Sequence, residues 1–378
     1  TAVNGVGYFV NTTAGAITVT LPASPSAGDV VAVSDYAGTS DTNNITIGRN
    51  GSNINGAAAD LTVSNENSAV TLVYVDGTQG WKATDTSSLT DIELQPAYIT
   101  ATGGTITCSG DYKIHTFTGP GTFTVSTIGN PIGGPSNVDY LVVAGGGGGG
   151  NGEYAGGGGG AGGYRESSGV ASGSYTASPL GACVSALPVS VQGYTITVGG
   201  GAPTITPPAR PGGNGSNSVF SSITSTGGGS GQGGSNASGA GVAGGSGGGG
   251  ASYCLSTGGA GNTPPVSPPQ GNAGGNAGDF GGSATKGGGG GGATSAGTVA
   301  TTPPSSAAGP GGNGATSSIT ASSVTRAGGG GGSTDVGGPQ GTGGPGGGGN
   351  GDNGSSATAG TVNTGSGGGG GKGNGGGG

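Results

Sequence analysis

The sequence predicts an all-β N-terminal part followed by a glycine-rich bundle of polyglycine-II helices with interleaved β-strands, and essentially no α-helix. Three observations carry this. Glycine supplies 104 of 378 residues and proline 21, and each interior helical glycine costs about 1 kcal/mol relative to alanine. The glycines are uneven, 18 in residues 1–138 against 86 in residues 139–378. The first part alternates apolar and polar residues, as half-buried strands do.

Residues 1–84 read as one β-module. Tyr8-Phe9-Val10 and Ile17-Thr18-Val19-Thr20-Leu21 come first, and Pro22, Pro25 and Gly28 then punctuate a turn before Val30-Val31-Ala32-Val33. Ile45 with Ile47, Leu61 with Val63, and Val70–Val75 supply further strands, beside the turn-forming pairs Asn50-Gly51, Asn55-Gly56 and Asp76-Gly77. Trp81 closes the module as a core aromatic. Residues 85–97 are polar, carry Pro96 and read as a linker. Residues 98–137 read as a small β-region, with strands around Ile99-Thr100, Thr105–Thr107, Lys113–Phe117 and Thr122–Val125. His115, the single histidine, has no nucleophile or acid at a suggestive spacing and reads as a surface or half-buried strand residue.

Residues 138–378 open on an apolar strand, Val138–Ala144, that runs into Gly145–Gly150. Ten runs of three or more glycines follow one another from there, with strand-like pieces at Tyr194–Val198 and Ser218–Ile223. An isolated glycine run stays flexible in water, and the Gly-X-Y period of collagen is absent. Polyproline-II geometry, with about three residues per turn and about 3.1 Å rise, turns its N–H and C=O groups outward, and glycine lets such rods approach closely enough to bond to one another. Pure runs such as Gly287–Gly292 are then inner rods and interrupted stretches such as Gly337–Gly344 outer ones. The competing readings are a β-solenoid or disorder. Lateral hydrogen bonds roughly offset the ordering entropy of glycine, so the lattice is expected to fold cooperatively from its flanking strands.

Chemistry is scarce. The net charge is −8 and no cluster of Lys or Arg exists, which opposes nucleic-acid binding. No stretch is apolar enough to insert in a membrane. No catalytic constellation, metal-ligand spacing or cofactor motif is present, so no enzyme, metal or cofactor is expected. G-x-G-x-x-G matches carry no information at this glycine content. Gly371-Lys372-Gly373 fails as a Walker A loop, and the six N-x-[ST] sequons are coincidences of composition. Cys108, Cys183 and Cys254 lack metal spacing, permit at most one internal bridge and are expected to be small buried fillers.

Three proline-bearing inserts are the candidate binding residues: Pro203, Pro207, Pro208 and Arg210; Pro264, Pro265, Val266, Pro268 and Pro269; and Pro303 and Pro304. They are either stiff turns between rods or a preorganised recognition surface. In the second case all three are expected at one end of the rods, with Arg210 their only positive charge.

Tyr8–Gly38 (YFVNTTAGAITVTLPASPSAGDVVAVSDYAG), Asn43–Ile54 (NNITIGRNGSNI) and Leu72–Ala83 (LVYVDGTQGWKA) resemble the repeated β-module of tail-fibre proteins from T4-like marine and cyanobacterial phages. Val138–Gly150 (VDYLVVAGGGGGG), Gly156–Ser167 (GGGGGAGGYRES), Tyr194–Gly201 (YTITVGGG) and Asn214–Phe220 (NGSNSVF) resemble their glycine-rich distal domain. That part is also similar to phage adhesins built on a polyglycine-II sandwich whose tip loops contact the host. The resemblance implies a non-enzymatic virion tail-fibre segment, extracellular, that attaches to a host cell-surface saccharide or outer-membrane protein. It also implies other tail-fibre subunits as partners and a homotrimer. A structural subunit of a secreted extracellular filament is the alternative. A surface hydrolase would need an acid pair that the sequence does not offer. The lack of an initiator Met, of an upstream shaft and of an apolar strand after the last glycine run leads to the expectation of a trimmed portion of a longer fibre.

Overall fold

The computed structural model describes all residues except 87–91, 95, 131–132, 170–172, 174, 207–210, 235–238, 253–255, 279–284, 302–305, 336, 355 and 374. The chain forms two compact units: Thr1–Ala101 with Val125–Ser136 and Val189–Val191, and Thr102–Thr124 with Asn137–Pro188 and Gln192–Gly378.

The first unit is built from β1 (Val6–Val10), β2 (Ile17–Thr20), β3 (Val30–Asp35), β4 (Ile45–Gly48), β5 (Leu61–Val63), β6 (Ala69–Asp76), β7 (Gly80–Thr86), β8 (Ile92–Leu94) and β9 (Thr100–Thr102). Two four-stranded sheets form, in the orders β1-β3-β6-β7 and β2-β4-β5-β8. The alternation in β3 buries Val31 and Val33 against Ile45, Ile47, Leu61, Leu72 and Trp81, which are all but inaccessible to water. Tyr74 meets the Trp81 ring edge-on at 5.6 Å. Asn55 and Gly56 both have positive φ and close a two-residue turn, with Ile54 and Ala57 exchanging backbone bonds at 2.9 Å. Gly80 is obligatory for two reasons: its φ is +68°, and a Cβ there would lie 1.9 Å from the Asn53 carbonyl oxygen.

Residues 85–97 differ from the expected linker. Ile92–Leu94 forms β8 and pairs antiparallel with β5. Its Ile-Glu-Leu alternation is a strand pattern too short to stand out among Ser, Thr and Asp.

The second unit contains β10 (Thr105–Ser109), β11 (Tyr112–Thr116), β12 (Gly121–Thr127, which enters this unit through residue 124), β13 (Asn137–Val138), β14 (Leu141–Val143) and β15 (Tyr164–Glu166). Then follow β16 (Leu187–Pro188), β17 (Gly193–Thr197), β18 (Ser218–Phe220), β19 (Ile223–Ser225), β20 (Ala315–Ser317) and β21 (Val324–Arg326). Residues 218–223, read as one strand, are a hairpin instead, because Ser221 turns the chain at φ 53°. The expected single strand 138–144 is likewise split into β13 and β14, which take different partners, β16 and β15.

Between these strands the glycine-rich segments cross the unit as extended rods. Rod 287–292 shows the bonding rule. Gly288 and Gly291 donate to Gly250 and Gly247, Gly287 and Gly290 to Ser333 and Gly330, and Gly289 and Gly292 to Thr298 and Ser295, all between 2.8 and 3.1 Å. Its carbonyls accept from three other segments, through Gly158 and Ala161, Gly309 and Gly312, and Gly275 and Asn272. Every third residue therefore addresses the same neighbour, the period of a polyproline-II rod. None of Gly287–Gly292 has a left-handed φ, and all six are buried. A Cβ on any of them would come within 2.3 Å of a neighbouring backbone oxygen. In the interrupted segment 337–344, Gly341 and Gly344 are buried while Thr342 is exposed, so a position that faces outward accepts a side chain.

The cysteines correct one expectation. Cys108 and Cys183 are free and exposed rather than buried, and Cys254 lies outside the described residues. Cys108 falls on a two-stranded hairpin whose other strand is β11, a ribbon exposed along most of β10, and Cys183 sits in a turn at φ 61°. Neither place has a core to fill.

Candidate binding loops at the rod ends

The rods have two ends within their own unit. At one, the strand end, they continue into β14, β15, β18 and β19: Ala144 N–H donates to Gly163 O and Gly163 N–H to Thr226 O. The other is marked by Tyr154 donating to Gly234 and by the mutual bonds of Gly278 and Lys286.

The insert 263–269 sits at the strand end. Asn262 and Thr263 donate to Gly245 and Gly244, and Tyr164 donates to Gln270 O at 2.8 Å. Pro264, Pro265 and Pro269 are exposed, and Val266 and Pro268 half-buried. Two side chains build this loop from below. Asn262, at φ 50°, accepts the Val266 N–H on Oδ1 at 3.1 Å and donates Nδ2–H to Val266 O at 3.1 Å. Gln270 is fully buried; it donates Nε2–H to Pro264 O at 3.1 Å and accepts the Thr226 N–H on Oε1 at 2.9 Å. A loop tied at its middle, base and first turn loses little entropy on meeting a partner. Asn262 and Gln270 were not singled out in the sequence; the only signal was an amide residue on each flank of a proline-rich insert.

The described residues that flank the other two inserts lie at the opposite end. Pro203 is exposed, and Ile205 bonds with Gly375 in both directions, at 3.2 and 3.3 Å. Thr301 N–H donates to Ala307 O, with Ala300 bonded to Asn276 and Gly309 to Gly287. Pro207, Pro208, Arg210, Pro303 and Pro304 fall outside the described residues. Pro203–Ile205 and the insert 263–269 therefore lie at opposite ends, against the shared-end case and as the stiff-turn alternative has it. The reason is a parity that the sequence hides. Residues 241–250 read as one glycine-rich stretch, but the chain bends at Gly244–Ser246 and returns, so Gly245 donates to Gly227 and Gly248 to Val242. One extra reversal moves the insert 263–269 to the other end.

The opposite end carries a buried cation. Lys286 has no exposed surface, and its Nζ donates to Gly337 O. Desolvation lowers its pKa, partly countered by Asp335. Asp335 also pairs with Lys372 at 2.7 Å. These charges tie Gly337 to Lys286 and Lys372 to Asp335.

His115 meets its expectation. It is half-buried on β11, with Nδ1 2.8 Å from Gly103 O and its ring edge-on to Phe123 at 5.0 Å. Among the described residues, no group of His, Cys, Asp and Glu is placed to hold a metal ion, and no helix is long and apolar enough to cross a membrane.

No curated protein matches the chain. A family described as a glycine-rich domain matches residues 118–378, more than half of the length, and the rods and their flanking strands lie within that span. The chain belongs to this glycine-rich domain family.

Proposed function

We propose that the rods form a polyglycine-II bundle and that the chain is a non-enzymatic tail-fibre or adhesin segment of a phage, attaching the virion to a host cell-surface saccharide or outer-membrane protein. The observation that carries this is the loop 263–269, exposed, rich in proline and tied at three points by Asn262 and Gln270. Rigid loops on a rigid scaffold are where recognition residues concentrate. The resemblance of both parts of the chain to tail-fibre modules supports the same reading. In it, residues 1–138 assemble as a homotrimer with other tail-fibre subunits.

The test replaces Pro264–Pro269 with a Gly-Ser segment of equal length and measures adsorption to host cells. Loss of adsorption with thermal unfolding almost unchanged supports the reading, and full retention removes this loop from it. A secreted filament subunit is the second reading. It is favoured by β1 and β2, edge strands without a charged residue on which Phe9 is 78% exposed, since such edges invite pairing with another chain. Electron micrographs separate the two, as a finite appendage or an unlimited polymer.

A further inference from the structure

One cleft in the second unit, of about 200 Å³, is lined from β11, β12, β14, β17 and β18. Phe117, Phe123 and Phe220 line it together with Lys113, His115 and Asp139. Phe123 and Phe220 stand edge-to-face at 5.9 Å, and His115 packs on Phe123 in the same manner. The cleft therefore combines aromatic surface with three polar groups of different kinds.

Their chemistry narrows the ligand. The Nδ1 of His115 faces the Gly103 carbonyl at 2.8 Å and so carries a proton, which leaves Nε2 as the second polar atom of the ring. Lys113 is exposed and can only donate. Asp139 is an acceptor, oriented by Ser167 Oγ–H at 2.7 Å. The charges of Lys113 and Asp139 offset each other, so the cleft has no preference for an ion.

The central strands of the cleft offer an extended peptide no backbone to pair with. β17 is bonded to β12 on one side and β18 on the other, and β18 to β17 and β19. On β14, the Val142 carbonyl already accepts Ser225 Oγ–H at 2.7 Å. What remains is side chains: an aromatic surface that suits a C–H face, ringed by donors and acceptors. A ring with one apolar face and peripheral hydroxyls, each able to donate and accept, matches that set.

We propose that this cleft is a subsite for a neutral pyranose unit of a surface glycan. It uses none of the residues of the loop 263–269, and its test is independent of the loop's.

The experiment is saturation-transfer NMR on the full chain with the methyl pyranosides of glucose, galactose, mannose and N-acetylglucosamine, and with methyl glucuronate. The expected result is transfer from aromatic protein protons to ring C–H protons of at least one neutral glycoside. Lys113→Ala, at an exposed position, and His115→Phe, which keeps the aromatic contact, should each weaken binding about fivefold, the order set by one lost hydrogen bond. The Gly-Ser replacement of the loop should leave binding unchanged. The proposal is overturned if no neutral glycoside shows transfer up to roughly 50 mM, the edge of measurable affinity. It is also overturned if transfer survives undiminished in a variant that still folds, or if the glucuronate binds more tightly than every neutral sugar.

Discussion

The Asn262 side-chain oxygen accepts the backbone N–H of Gln270 at 3.2 Å, and that same oxygen also takes the Val266 N–H. One carboxamide thus closes the base of a proline-bearing loop and pins its middle. Asn262→Gly suits the positive φ at this position and removes only the ties. The variant should lose about 1–3 kcal/mol, the worth of a few local hydrogen bonds. Amide exchange at Val266 and Gln270 should accelerate while that at Gly290 does not. Unchanged exchange at both loop amides would show that the loop is held by something other than Asn262.

Gly290 tests the interior of the lattice. A Cβ there would lie 2.0 Å from the Gly159 carbonyl oxygen, and the offending atom is backbone that itself bonds elsewhere. Gly290→Val should cost about 3 kcal/mol or more, the severe end of overpacking. Gly373→Ala, with nothing within 4 Å, should leave thermal unfolding where it was. Equal melting of the two variants would take Gly290 out of the interior.

Asp35 gives the first unit a pH dependence. Burial alone would raise its pKa, but backbone N–H groups of Ser40, Asn67 and Ala37 point at the carboxylate and lower it on balance. A depressed folded-state value contributes stability that is complete above the unfolded pKa of about 3.9 and disappears as pH falls through the folded value. Asp35→Asn should therefore cost about 1.5–3 kcal/mol at neutral pH. The gap to the parent should narrow as pH falls below the unfolded value of about 3.9. Urea unfolding at the two pH values measures this, and a gap independent of pH would contradict it.

Cys108 and Cys183 should both be alkylated by iodoacetamide in the native protein, because both are free and exposed. Peptide mass spectrometry reads the adducts directly. Protection of either thiol before denaturation would place it against a partner chain.

Much of the first unit was legible in the sequence because one periodicity governed each strand. The alternation in Ile45–Ile47 marks which side chains become core, and the Asn55-Gly56 pair marks a turn whose φ values only such residues adopt easily. The glycine-rich part was legible as buried glycine runs and not in path. Gly287–Gly292 declares a buried rod by lacking every side chain, but a glycine run carries no mark of where it reverses. Gly244–Ser246 bends within such a run, and that bend decided the end to which Pro264–Pro269 belongs. The hairpin of Ala315–Ser317 with Val324–Arg326 left no mark in the sequence because each strand offers a single apolar residue, too little to show an alternation. The cleft was invisible for a different reason. Phe117, Phe123 and Phe220 come together only when β12, β17 and β18 pair.

The bonds of rod 155–163 set an order of events in synthesis. Gly159 donates to Gly368 and Gly162 to Gly365, partners that leave the ribosome about two hundred residues later. Until then the first-made rods have no complete set of neighbours, and closing such distant contacts is slow. A half-made glycine-rich part nevertheless shows the cell glycine backbone and small polar side chains, which water satisfies, rather than the apolar surface that drives misassociation. The glycine-rich unit can wait unfolded without becoming sticky, and it becomes rigid only once residues 365–368 have been made.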